Sequence, residues 1–206
     1  MENMIFSNII ISTRLHSGQW WGHAEPIHIS SIPGLGSNES GSIRNLRFSN
    51  ISASSESGIL IYAWKKGLIR DISFDHVDLT IKPGALTIGY GGNIDLRPVN
   101  NTDLGIFSHS IPAFYSSLTD ELVISDMNVR WENGLPAYFN HAVECAGFES
   151  LTIDGLNEHF INKKQNGTEA TVYLQNGGIA RIRGIRSSDE KKNLLKKDNV
   201  LHLINE

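Results

Sequence analysis

Apolar and polar residues alternate in short runs along the chain, and the runs resemble one another. Asn45 to Ile51 reads Asn-Leu-Arg-Phe-Ser-Asn-Ile, and Phe6 to Ile9 repeats its last four residues. Asp71 to Val77 is a third copy, Asp-Ile-Ser-Phe-Asp-His-Val. Fainter copies start at Leu122, Leu151 and Ala180. Their central apolar residues are Phe6, Phe48, Phe74, Ile124, Ile153 and Ile182. The spacing is about 25–30 residues per unit, with longer gaps after Phe6 and Phe74, and such self-similarity is the mark of a stacked solenoid. Alternation within each copy has the period of a half-buried strand. Leu46, Phe48 and Ile51 are expected to point inward, and Arg47 and Ser49 outward. Alternation breaks at Asn50 and its counterpart Asn8, which predicts a bend, because Asn tolerates the left-handed backbone. Stacked copies would bring these amides into hydrogen-bonding line.

A second strand series interleaves with the first: Pro26–Ile29, Gly58–Tyr62, Pro112–Tyr115, Ala142–Cys145 and Thr171–Leu174. Two series at one period predict an all-β fold, a right-handed parallel β-helix of about six or seven coils with almost no helix. Its strands would pair with the coils above and below. The alternative is an antiparallel sandwich, which would not repeat Phe-Ser-Asn-Ile.

Residues 1–206 read as a single block, and 187–206 as its charged C-terminal segment, a solvated loop or short helix followed by a possible last strand at Val200–Ile204. The chain starts inside a repeat with nothing to cover the first coil. The expectation is that N-terminal coils and a cap are missing, or that a partner covers that end; self-association there is a further expectation.

Composition narrows the function classes. The net charge is −4, and no basic patch speaks for nucleic acid. No apolar run approaches a membrane span, and the N-terminus lacks a signal peptide's pattern. The sole cysteine, Cys145, falls at an inward position and is expected to be a packed thiol.

Candidate chemistry gathers in loops. Residues 12–25 hold Arg14, His16, Trp20, Trp21, His23 and Glu25. Indole faces stack on sugars, and Arg and Glu can hold carboxylates or hydroxyls; the bland reading is that the Trp pair closes the side of the solenoid. Gly84 to Ser110 is the longest departure from the repeat, and long solenoid insertions often carry binding. Tyr90, Asp95 and Arg97 are its candidates, with a structural Asp95–Arg97 pair as an equal alternative. Arg14, one of the Trp pair, Glu25, His28 and Tyr62 are expected to converge on one lateral face, with His28 and Tyr62 on neighbouring strands. Glu144 and Tyr173, also outward, read as a solvated face. No clustered aspartates point to a metal, and no cofactor is expected.

Phe6-Ser7-Asn8-Ile9, Thr13-Arg14-Leu15, Gly18-Gln19-Trp20-Trp21-Gly22, Glu25-Pro26-Ile27, Arg44–Ile51, Gly91–Pro98 and Ile111–Tyr115 together resemble glycoside hydrolase family 28, the polygalacturonases, over about residues 1–160. The resemblance implies an inverting hydrolase of galacturonan links, with acidic polysaccharide as partner and a periplasmic or secreted setting for the intact protein. Inversion needs separated carboxyls. The family's Asn-Thr-Asp, Asp-Asp and Gly-His-Gly motifs are missing, and Asn101-Thr102-Asp103 stands out of order, as a coincidence. The catalytic acids are therefore expected upstream of Met1, leaving this chain part of the substrate cleft. The family's Arg-Ile-Lys strand falls on Ile27–Ser30, where His28 and Ser30 replace the cations, and Arg14 is the candidate substitute. The alternatives are a non-catalytic module that binds acidic polysaccharide or serves assembly, and, more distantly, a lyase.

Overall fold

The computed structural model describes residues 1–17, 23–99, 105–161 and 169–205. The elements are β1 (Glu2–Ser12), β2 (His28–Ser31), β3 (Ile43–Ser55), β4 (Ile59–Ala63), β5 (Ile69–Ile81), α1 (Thr87–Tyr90), β6 (Asn93–Asp95), β7 (Ile106–Ser108), β8 (Phe114–Ser117), β9 (Glu121–Trp131), β10 (Val143–Ala146), β11 (Ser150–Phe160), β12 (Val172–Ser187) and β13 (Leu195–Asn205). Among the described residues the fold is all-β apart from the single turn of α1. One large sheet has the order β1-β3-β5-β9-β11-β12-β10-β8-β4-β2, with β13 also on β12. All its neighbours are parallel.

The first strand series forms one arm of this sheet and the second forms the other. Long β12 belongs to both and joins them. The arms curl toward each other over a single core, where the Phe74 ring meets Phe114 edge-on at 5.0 Å. Register follows the repeat. Phe6 pairs with Phe48, Phe48 with Phe74, Phe74 with Ile124, Ile124 with Ile153, and Ile153 with Ile182. The Phe6, Phe48 and Phe74 rings stack at 4.8 and 4.7 Å, the spacing of neighbouring strands. Leu46 and Ile51 are buried beside them.

The bend has the conformation that its residues allow. Asn8 (φ 59°), Asn50 (φ 53°), His76 (φ 52°) and Asp126 (φ 48°) lie in the left-handed region, and Gly155 and Gly184 take over further along. Asn50 Nδ2 donates to Asn8 Oδ1 at 3.2 Å, so the expected amide ladder is present. Each bend lets one strand run turn a corner without losing its parallel partners, which is how 11- to 16-residue strands fit a curled sheet.

The 187–206 segment differs from expectation. In place of a solvated loop or short helix up to Asn199, β12 runs to Ser187 and β13 begins at Leu195. Lys196 and Lys197 are strand residues, because parallel pairing with β12 outweighs their local polarity. Lys192, expected in solvent, is buried against Glu158.

At the opposite end β1 pairs with β3 and β2 with β4, and both are terminal strands of the sheet order. Ile5 and Ile10 are exposed, and Phe6, Ile9, Ile27, Ile29, Phe48 and Ile51 line an open cavity of about 380 Å³ between the arms.

Candidate functional site

The outward side chains of the second arm form two straight rows. Pairing aligns His28, Leu60, Tyr115, Glu144, Tyr173 and Lys196 in one. Ser30, Tyr62, Ser117, Ala146, Gln175 and Asp198 form the other. Side chains two residues apart along a strand share a face, so the rows lie side by side.

The insertion covers the middle of these rows. Its antiparallel pair β6–β7 carries Ile94 and Phe107, and Leu96, Val99 and Ile111 follow. With Leu60 and Tyr115 these residues make a second, small apolar core outside the sheet, with Tyr62 packed against it. Tyr138 donates to the Thr87 carbonyl, and Tyr90 to that of His16, which ties the insertion to its neighbours. Burial pushes the Tyr138 hydroxyl up to about 12.

This cover changes the reading of Glu144. It is not on a solvated face: it is 3% exposed. Gln175 Nε2 donates to its Oε1 at 3.0 Å, and His109 Nε2 lies 3.3 Å from the same oxygen. His109 Nδ1 faces the Ser110 carbonyl, and its ring lies 4.6 Å from that of Tyr115. Burial opposes protonation of His109, but hydrogen bonds to Glu144 and Ser110, with the Glu144 charge, outweigh it and raise the pKa. Burial, and then the nearby carboxylate, push the Tyr115 hydroxyl upward.

The open end of the rows is aromatic and charged. Tyr173 donates to Asp198 Oδ2 at 2.6 Å, and Lys196 Nζ sits 4.3 Å from the centre of its ring. The hydrogen bond to Asp198 holds the Tyr173 hydroxyl up at about 12. His141 packs on Tyr173 with its Nδ1 2.6 Å from the Ala170 carbonyl, and burial lowers its pKa.

The expected site residues are placed as follows. Tyr62 is outward and half-buried, 6.0 Å from the Phe107 ring. His28 is outward, but its direct neighbour is Leu60; Tyr62 sits beside Ser30. The expected His28–Tyr62 adjacency is therefore displaced by two residues along the strand, because β2 and β4 pair two residues out of the assumed register, which keeps both side chains on the same face. Glu25 is spent locally: it accepts from the His23 amide and lies 3.8 Å from His28 Nδ1. Arg14 is exposed on a loop anchored where the Leu15 amide donates to Glu56 Oε2 at 2.9 Å. Trp20 and Trp21 lie outside the described residues, as does Asn101-Thr102-Asp103.

Asp95 and Arg97 form the structural pair. Arg97 Nη2 donates to Asp95 Oδ2 at 2.7 Å and Nε to Oδ1 at 3.0 Å, with His23 Nε2 3.2 Å from Oδ2. Burial opposes ionisation of Asp95, and the Arg97 hydrogen bonds overcome it and lower the pKa. Tyr90 meets His23 edge-on at 4.7 Å. Cys145 is buried in the core, and burial pushes its thiol upward, as suits a packed group.

Comparison with protein-family models, with curated proteins and with solved structures found no match. The site therefore rests on its own geometry. Sequence reasoning missed His109 and Lys196, and gave Glu144 the wrong environment. Lys196 pairs with Tyr173 at a shorter step than the one from Glu144 to Tyr173, so the period of the second strand series did not point to it. The pairing of His109 with Glu144 had no local signal, since they stand 35 positions apart, one in the insertion and the other in the repeat. A small exposed group also went unread: Asp75, His76 and Asp126 bring ligand atoms within 4.8 Å of one another at the bend. The Asp75 hydrogen bond raises the His76 pKa.

Proposed function

We propose that the chain is a run of right-handed parallel β-helix coils whose outward second-arm face binds an acidic polysaccharide of the galacturonan type, as part of a polygalacturonase-like cleft. One observation carries this reading: His28, Tyr62, Tyr173 and Lys196 stand in the outward rows of one arm of parallel strands, on either side of the covered segment. A linear sugar polymer presents repeating C–H faces and carboxylates. Aromatic rings suit the former and a cation the latter. Tyr173 with Lys196 over its ring offers both at one place. His28 and Tyr62 flank the covered segment on its other side.

The face is assigned binding and not bond cleavage. Glu144 is engaged by Gln175 and His109, and Asp198 by Tyr173. Neither carboxylate is left to protonate a leaving group or activate a water, as inversion requires.

A second reading has its own support. The open apolar cavity between the terminal strands β1 and β2, with Ile5 and Ile10 exposed, favours an assembly surface at that end.

Calorimetric titration separates the two. A galacturonate oligomer is expected to bind, and a neutral glucan oligomer of equal length to bind far more weakly. Tyr173→Ala and Lys196→Ala are each expected to weaken the acidic ligand about fivefold, the order of one stacking or charge contact. No reducing ends should appear. Equal binding of the neutral oligomer, or variants that bind like the parent chain, would remove the polysaccharide reading.

A further inference from the structure

Among the described residues, the insertion meets the rows through apolar contacts and one charged one. His109 follows β7 and reaches back over the sheet to Glu144 on β10. Its two ring nitrogens both face oxygens, Nδ1 the Ser110 carbonyl and Nε2 the Glu144 carboxylate. An imidazolium satisfies both with N–H donors. Either neutral tautomer turns a nitrogen lone pair on an oxygen. At the carboxylate this would leave a buried anion with Gln175 as its remaining named donor, and a buried charge that loses a partner is costly.

We propose that His109 and Glu144 form a proton-operated latch that holds the insertion on the binding rows in acid and loosens it as the solvent becomes alkaline. Its consequence for ligand access rests on the reading of those rows as a binding face; the latch itself does not. The covered segment includes Leu60 and Tyr115 and borders Tyr62, so release would lengthen the open face.

The groups around His109 leave it as the one that changes charge. From the sheet these are Tyr115 on β8, Glu144 on β10 and, through Glu144, Gln175 and Tyr173 on β12; from its own segment, Phe107 and Ser110. The Tyr115 and Tyr173 hydroxyls are shifted upward, away from neutral pH. His141, which packs on Tyr173, is shifted downward by burial, opposite to His109. The sign follows from the raised His109 pKa. The stabilisation is complete below about 6.5, the value of a free histidine, and is lost as pH rises through the folded-state value.

Amide exchange on the full chain tests the latch. After correction for intrinsic exchange, protection across residues 106–111 at pH 8.5 is expected to fall about tenfold against pH 5.5, relative to β3, the order of one lost hydrogen bond to a charged group. In His109→Gln this difference should vanish. A parent chain with equal protection at both values, or a variant that keeps the difference, would overturn the proposal. If the variant does not fold, the His109 ring proton signal of the parent chain decides: a midpoint above about 6.5 supports the latch, and one at or below it sinks the latch. Failure of galacturonate binding at both pH values would instead remove the ligand reading and leave the exchange result standing.

Discussion

Lys192→Ala is expected to lower the stability of the chain by about 3–5 kcal/mol, the cost of leaving a buried carboxylate without its cation. Glu158 explains the size. In register it lies beside Val129 on one strand and Ser187 on the other, so it occupies a core position of the repeat. Four groups make this tolerable. Trp131 Nε1 and Lys192 Nζ donate to its Oε1 at 3.0 and 2.8 Å, and Thr171 and Ser187 hydroxyls donate to its Oε2 at 2.8 and 3.0 Å. Lys192 also donates to the Asn140 carbonyl at 3.1 Å and lies over the Phe160 ring. The two charged side chains are 2% and 0% exposed. Urea denaturation at neutral pH measures the loss. The double variant Lys192→Met with Glu158→Leu should cost less than either change alone, because it removes both charges. A single variant with the parent midpoint would mean that water reaches the pair.

Phe74→Ala should cost about 3–5 kcal/mol, as a fully buried ring that leaves a cavity. Phe74 is 0% exposed, stacked on Phe48 and edge-on to Phe114, so it ties one arm of the sheet to the other. Phe6 is the same residue in the same register but lines the open cavity. Its removal should cost roughly half as much or less, because part of its surface already meets water. Thermal unfolding of the two variants checks the order. Equal losses would mean that the cavity end is covered in solution, by a second copy or another surface.

Much of the fold was legible because the repeat carries its own register. The central residues Phe6, Phe48, Phe74, Ile124, Ile153 and Ile182 identified from spacing are the ones that pair. Asn8 and Asn50 marked a bend because few other residues accept that backbone. Cys145 was placed inside by alternation alone. What failed was non-local. Glu144 has an outward position in its strand, and only the insertion folded over it makes it buried. Lys192 looks solvated in a charged run, and only the carboxylate at a core position 34 residues earlier draws it in. The β2–β4 register depends on loops whose lengths differ from the repeat, so His28 and Tyr62 were assigned neighbours that they do not have. The 195–199 segment shows pairing overriding local polarity.

The central claim is that the outward rows of the second arm are the ligand face. Chemical-shift mapping tests it most directly, with isotope-labelled chain titrated with a galacturonate oligomer. The largest shifts are expected at Tyr62, Tyr173, Gln175 and Lys196, with β1 unchanged. Shifts confined to β1 and β2 around the open cavity, or none at saturating oligomer, would contradict it.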